Sequence, residues 1–339
     1  MDADEGMQVA SEWEHELETL SRRRLVLLSG RAHPGLAEEI AGHLRTHLGD
    51  ANLREFADGE IHARFSESVR GADVFIIQPH ARPVNDSLME QLIMVDAAKR
   101  ASAGRITAVC PYYGYSRQDR KSSGREPITA KLVADLLSTA GVSRVISVDL
   151  HSGQVQGFFD FPVDHLVAWP VLISYLKTHG GDGFVVVSPD AGRVHVAERY
   201  SQQLGTDLAF VHKRRPPGQA NVVEALEVIG DVRGRRCVIV DDMIDTAGTM
   251  CAAAARLVEE GATEVWAMAT HAILSGPATE RLERAPIAKV VVTNTLPLPV
   301  DRRIAKLEVL SIAEVIASAI DAVFEDSSVS KLFGGQNLS

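Results

Sequence analysis

Eight short apolar runs, most of them rich in β-branched residues, constrain this fold more than any other feature of the chain. They begin at Leu25, Val74, Ile106, Val145, Phe184, Cys237, Val265 and Val290. Segments of helical periodicity lie between most of them, notably Leu88 to Ala101 and Ile128 to Thr139, and Pro34 opens another at its first turn, where proline is tolerated. Strands that are apolar throughout need cover on both faces, and strands separated by helices pair in parallel. The pattern predicts an α/β protein with doubly wound, mainly parallel sheets. At 339 residues the chain exceeds what one core usually serves, so two domains of roughly 150 residues are expected. Ile106 to Gln118 and Cys237 to Thr249 share one plan, an apolar strand, a polar loop and a helix, which suggests duplication with the halves joined near Phe161 to Ala168. Residues 1–23, acidic and then basic, read as a loosely attached extension.

Charge narrows the function classes. A net charge of −10 with a pI near 5.7 argues against a general binder of nucleic acid or anionic membrane. No apolar run reaches the roughly 18 residues of a membrane span, and the start, Met1 to Glu5, lacks the basic region of a signal peptide. Cys110, Cys237 and Cys251 are not spaced as pairs, and the first two lie inside apolar strands as small core residues. A reducing, cytoplasmic setting suits them.

The chemistry concentrates at predicted strand ends, where open α/β sheets bind ligands. After Arg236 to Val240 comes Asp241-Asp242-Met243-Ile244-Asp245-Thr246-Ala247-Gly248-Thr249, followed by an Ala-rich helix from Met250 to Glu260. Two hydroxyls and successive N–H groups at a helix N-terminus, with Gly248 keeping Cβ atoms away, make a phosphate cradle. Asp241 and Asp242 offer acceptors for paired sugar hydroxyls or a hard cation. An isolated acidic pair would more simply cap the next helix. The whole string instead resembles the phosphoribosyl diphosphate loop of type I phosphoribosyltransferases.

Other segments add to this. Phe56-Ala57-Asp58-Gly59-Glu60 is either a hairpin turn or an adenine contact, an aromatic face beside acceptor carboxylates, and the two readings are compatible. Pro111 to Arg125 carries Arg117, Arg120, Lys121 and Arg125 on a loop after a strand, suited to a polyphosphate or to internal ion pairs through Asp119. His151, in Val148-Asp149-Leu150-His151, is by its chemistry a phosphate donor, an acid/base group or a satisfied core histidine. Asp190, in Ser188-Pro189-Asp190-Ala191-Gly192-Arg193, is a helix N-cap or a Mg²⁺ ligand. Val211 to Gly218 puts Lys213 and Arg215 on the same side if extended, either as a flap over developing negative charge or as a nucleic-acid or targeting patch.

In order and in register, six motifs resemble those of the ribose-phosphate pyrophosphokinase family. They are Phe-x-Asp-Gly-Glu from Phe56, Tyr-x-Arg-Gln-Asp from Tyr115, Asp149-Leu150-His151 with Gln154 to Phe159, Ser188 to Gly192, His212 to Arg215, and Asp241 to Thr249; Ser328 to Phe333 resembles the family's C-terminal signature. The resemblance implies an α/β fold of two type I phosphoribosyltransferase-like domains, 24–165 on the ATP side and 166–339 on the ribose 5-phosphate side, with residues 325–339 packing back on the first. It implies transfer of the β,γ-diphosphoryl group of Mg-ATP to the C1 hydroxyl of ribose 5-phosphate, releasing AMP. By the same likeness Phe56, Asp58 and Glu60 contact adenine from a neighbouring subunit, and Arg117, Gln118 and Asp119 meet ATP. Asp241 and Asp242 hold ribose hydroxyls, while Asp245, Thr246, Ala247, Gly248 and Thr249 bind the 5-phosphate. His151 and Asp190 hold Mg²⁺, which revises the chemical reading of the histidine, and Lys213 and Arg215 stabilise the transition state. Dimers assembling into a hexamer, with phosphate and ADP as effectors, are implied too. The alternative is a catalytically silent regulatory subunit of the same fold, which retention of His151, Asp190, Lys213, Arg215 and the phosphate loop disfavours. This chain departs from the family at Pro79-His80-Ala81-Arg82, at Ser122-Ser123-Gly124, and at Arg193, which replaces a frequent glycine.

Overall fold

The computed structural model describes residues 23–180, 183–214 and 225–333. Residues 1–22, Arg215 and the side chain of Lys213 lie outside that description. All eight predicted strands form, as do the predicted helices.

The first sheet contains β1 (Leu25–Ser29), β2 (Leu48–Gly49), β5 (Asp73–Ile77), β6 (Arg105–Cys110), β7 (Arg144–Val148) and β8 (Val163–Leu166), in the order β2-β1-β5-β6-β7-β8. Every pairing in it is parallel. A separate hairpin, β3 (Arg54–Glu55) with β4 (Ile61–His62), carries the Asp58-Gly59 turn, and Gly59 adopts a φ of 92°. The hairpin reading of Phe56 to Glu60 is thus correct, over a shorter ladder than the apolar pattern suggests.

The second sheet contains β9 (Phe184–Ser188), β10 (Leu208–Arg214), β11 (Ala225–Ile229), β12 (Arg236–Ile244), β13 (Glu264–Ala272), β14 (Lys289–Thr293) and β15 (Leu307–Leu310), in the order β11-β10-β9-β12-β13-β14-β15. Only the β10–β11 pair is antiparallel. Setting that edge hairpin aside, both sheets place their second strand outside the first and then run on in the opposite direction. Each therefore has one topological switch point, between β1 and β5 and between β9 and β12.

The helices are α1 (Pro34–His43), α2 (Val84–Arg100), α3 (Thr129–Ala140), α4 (Trp169–Tyr175), α5 (Val194–Leu204), α6 (Gly248–Glu259), α7 (Ala278–Arg284) and α8 (Ala313–Phe324). Strand side chains alternate between faces, and the buried residues sort accordingly. Val74, Ile76 and Ile106 pack on α2 and α3, while Val185, Cys237 and Val265 pack on α6 and α7. The largest cluster joins the halves: Leu27, Phe75 and Ile146 of the first sheet share it with Phe184, Val238 and Trp266 of the second, through α1, α4, α5 and α8. Cys110, Cys237 and Cys251 are free thiols, the first two buried. Among the described residues no helix is long and apolar enough to cross a membrane.

The two switch points differ in content. At the first, the side chain of Gln78 fills the crevice so closely that a Cβ on Gly30 would lie 2.2 Å from its Oε1. Gln78 donates to the buried Glu90 carboxylate at 2.9 Å, and the N–H of Arg31 donates to the same oxygen at 2.6 Å. The first sheet's ligand position is plugged by protein. The second remains open.

Candidate active site

Strand β12 runs further than the sequence suggests. Its pairing with β13 continues to Ile244, opposite Ala272, so Asp241 and Asp242 stand on the strand rather than in the loop after it. The ladder fixes their backbone, and a carboxylate on a strand is held more rigidly than one on a loop. The loop proper is Asp245 to Ala247, and Ala247 turns through the left-handed region at φ 60° before α6 begins at Gly248. A buried alanine in that region is strained, and such strain clusters at ligand-binding turns.

The carboxyl ends of the two sheets face one another here. His151 Nδ1 lies 2.8 Å from Asp242 Oδ2, and Arg117 Nη1 donates to Asp245 Oδ2 at 2.6 Å. Asp149 accepts from the Thr270 hydroxyl at 2.6 Å, and the ring of Tyr112 meets that of His271 edge-on at 5.0 Å. Met243 and Tyr112 share a small apolar cluster beneath them. A cavity of about 990 Å³ opens between these groups, with Arg117, Asp119, His151, Asp190, Asp241 and Asp242 in its wall.

Electrostatics set the three aspartates apart. Burial and the neighbouring charge of Asp242 push Asp241 well above the ordinary carboxylate range. Burial acts on Asp242 in the same direction, but the His151 hydrogen bond and the Arg193 guanidinium outweigh it and hold that carboxyl low. Asp245 is also lowered: hydrogen bonds from Ser275 and Arg117 overcome its burial. The cavity wall thus carries fixed negative charge on Asp242, while Asp245 lies outside the wall, joined to it through Arg117.

The remaining predicted residues are placed as follows. Asp190 caps the turn Ala191–Arg193, its Oδ1 accepting from Gly192 N at 2.8 Å, and it also lines the cavity. Gln118 turns toward the start of α3, where the Thr129 hydroxyl donates to its Oε1 at 2.5 Å. Thr246 offers its carbonyl to Arg281 at 3.0 Å. Thr249 lies in the first turn of α6. Phe56 is 47% exposed on the hairpin, where Arg54 lies over its ring, and Asp58 and Glu60 beside it are also exposed. Within one chain the hairpin does not join the cavity wall. The backbone of Lys213 lies near the end of β10, and Arg215 falls outside the described residues.

Sequence reasoning missed several neighbours. Thr270 and His271 at the end of β13 contact Asp149, Ser275 contacts Asp245, and Tyr112 meets the ring of His271. The signal available for the first pair was the polar step Thr270-His271 closing an apolar strand adjacent to β12. Arg193 stood out only as a departure, yet it bridges both halves of the site. Its Nη2 donates to Asp242 Oδ2 at 2.7 Å, its Nη1 donates to the His151 carbonyl at 2.9 Å, and its Nε lies 3.4 Å from Asp241 Oδ1.

The family described as the N-terminal domain of ribose phosphate pyrophosphokinase matches residues 25–141, and the phosphoribosyl synthetase-associated domain matches residues 196–334. The ribose-phosphate pyrophosphokinase of Streptomyces avermitilis is 53% identical over 321 residues, covering 94% of this chain and 99% of that protein. That of Mycobacterium tuberculosis is 54% identical over 319 residues, covering 94% and 98%. The crystal structure of phosphoribosylpyrophosphate synthetase from Mycobacterium smegmatis aligns with a TM-score of 0.86 at 52% identity, over 90% of this chain and all of that one. Both halves of the fold are thus of the phosphoribosyltransferase type, and the chain belongs to the ribose-phosphate pyrophosphokinase family.

Proposed function

We propose that this chain makes 5-phosphoribosyl 1-diphosphate from ATP and ribose 5-phosphate, and that the cavity between the sheets is where it does so. The observation that carries this is the pairing across the halves: Arg117 on Asp245 puts an ATP-side cation against the ribose 5-phosphate loop, and His151 on Asp242 puts an imidazole against the strand that leads into it. In the reaction the C1 hydroxyl of the pentose attacks the β-phosphorus, the bond to the α-phosphate bridging oxygen breaks, and AMP departs. Such transfers depend mainly on positioning and charge neutralisation.

The residues divide accordingly. Asp241 and Asp242 accept from the ribose hydroxyls, and Asp245 to Thr249 hold the 5-phosphate on the N–H groups at the start of α6. Arg117, Gln118 and Asp119 meet ATP, with Phe56, Asp58 and Glu60 supplied by a neighbouring subunit to the adenine. Lys213 and Arg215 neutralise charge that develops in transfer.

Mg²⁺ fits the donor set. Among the described residues no three His, Cys, Asp or Glu side chains gather as a metal cage. A hard cation of this kind needs only one or two protein ligands, with water and phosphates completing its shell. Asp190, whose Oδ2 takes no part in its cap, and His151 face the same cavity and would hold it. Bound there, Mg²⁺ would neutralise phosphate charge. A dimer-based hexamer with phosphate and ADP as effectors, a cytoplasmic location, and a division into 24–165 and 166–339 complete the proposal. The Asp326–Arg105 ion pair at 2.8 Å supports the return of the C-terminal segment to the first half. An assay supplying ATP and ribose 5-phosphate, with AMP scored in the presence and absence of phosphate and of ADP, tests it. Absence of ribose 5-phosphate-dependent AMP release would overturn it.

A further inference from the structure

Arg193 makes two claims that its neighbours cannot satisfy together. Its Nη2 lies against His151 Nδ1, and the same Nδ1 lies 2.8 Å from Asp242 Oδ2. A neutral imidazole nitrogen either donates or accepts. If Nδ1 accepts from the guanidinium, the ring proton sits on Nε2, which then has no lone pair for a cation. If Nδ1 donates to Asp242, the Nε2 lone pair can ligate once Arg193 Nη2, 3.4 Å from it, moves aside, and the bond to Asp242 orients the ring. One guanidinium therefore selects between two states of His151.

The same side chain also occupies the acidic pair. It bonds Asp242, approaches Asp241, and is anchored by the His151 carbonyl, with only 13% of its side chain exposed. Its planar fork suits these simultaneous contacts, which a lysine cannot reproduce. Its place on the turn Ala191–Arg193, three residues after Asp190, ties it to the other proposed cation ligand.

The geometry points to Arg193 as a resident counter-ion: it keeps His151 closed to a divalent cation, and Asp241 and Asp242 closed to the pentose, until the cation and the pentose displace it. Arg193 is then a positioning residue that sets how much free cation the site demands. The inference rests on His151 and Asp190 as the cation ligands.

The test uses the full-length chain and Mn²⁺ as the probe, with free Mn²⁺ followed by electron paramagnetic resonance in the absence of nucleotide. Arg193→Ala is expected to bind Mn²⁺ about tenfold more tightly than the parent, with Arg193→Lys in between. The free Mg²⁺ concentration for half-maximal activity should fall by a similar factor. Unchanged or weaker Mn²⁺ binding by Arg193→Ala with a parental melting temperature would overturn the inference. If that variant does not fold, Arg193→Gln carries the same test. Asp190→Asn, run alongside, separates the two layers. If it leaves Mn²⁺ binding untouched, the ligand assignment fails, whereas if it weakens binding while Arg193→Ala does not tighten it, only the counter-ion role fails.

Discussion

Replacing His80 with asparagine should remove a defined share of this fold's sensitivity to acid. The ring is fully buried, its Nδ1 accepts from Gly114 N at 2.9 Å, and its Nε2 then donates to Gln91 Oε1 at 2.9 Å. That arrangement is the neutral imidazole. Burial, working against the Gln91 hydrogen bond, pushes the histidine from 6.5 down to about 4. Because the folded value lies below the unfolded one, the unfolded chain takes up the proton first as pH falls. No stability is lost above pH 6.5. Between 6.5 and about 4 the loss grows by about 1.4 kcal/mol per pH unit and then levels off near about 3 kcal/mol. His33, His165, His195 and His271 are lowered by burial too, so the parent's total slope is steeper. The diagnostic quantity is therefore the difference between parent and variant. Asparagine keeps an acceptor and a donor without a titrating proton. Urea unfolding of both proteins at about pH 7 and about pH 4.5 should show the parent losing about 2 kcal/mol more than His80→Asn. Parallel losses would show that His80 is not held neutral, and would refute its role in fixing Gly114 and the loop that leads to Arg117.

Lys213→Ala should lower kcat by roughly two orders of magnitude or more while changing substrate KM values only a few-fold, as loss of a transition-state contact does; steady-state kinetics with an unaltered kcat would remove that role. Asp190→Asn should raise the Mg²⁺ concentration needed for half-maximal activity, and a metal titration identical to the parent's would leave Asp190 as a helix cap alone. Arg105→Ala should destabilise the fold by about 2 kcal/mol, measured by urea unfolding. It strips Asp73, 3% exposed, of two hydrogen bonds and breaks the Asp326 pair, although Arg23 remains 3.9 Å from Asp73 and limits the loss. An unchanged midpoint would show that water or Arg23 replaces the contact.

The sequence by itself determined the strands and the fold class, and it proposed the site residues, because those readings depend on local pattern. Apolar β-branched runs require two covered faces wherever they fall, and an Asp-Thr-x-Gly-Thr turn can be recognised without knowing its surroundings. Motif order supplied the family in the same way, since each motif is a contiguous string. Contacts between halves are not contiguous. That Arg117 meets Asp245 and His151 meets Asp242 depends on how two sheets share one core, through Leu27, Phe75, Phe184 and Trp266, which no local pattern encodes. Likewise only packing shows that Gln78 and Glu90 close the first switch point, leaving one open site. The register of β12 against β13 moved Asp241 and Asp242 from loop to strand. Arg193 gives the sharpest contrast. In sequence it is a substitution beside a glycine, whereas in space its guanidinium gathers two carboxylates and an imidazole from two distant segments. Long side chains act at a distance from their backbone, so their partners are decided by tertiary packing.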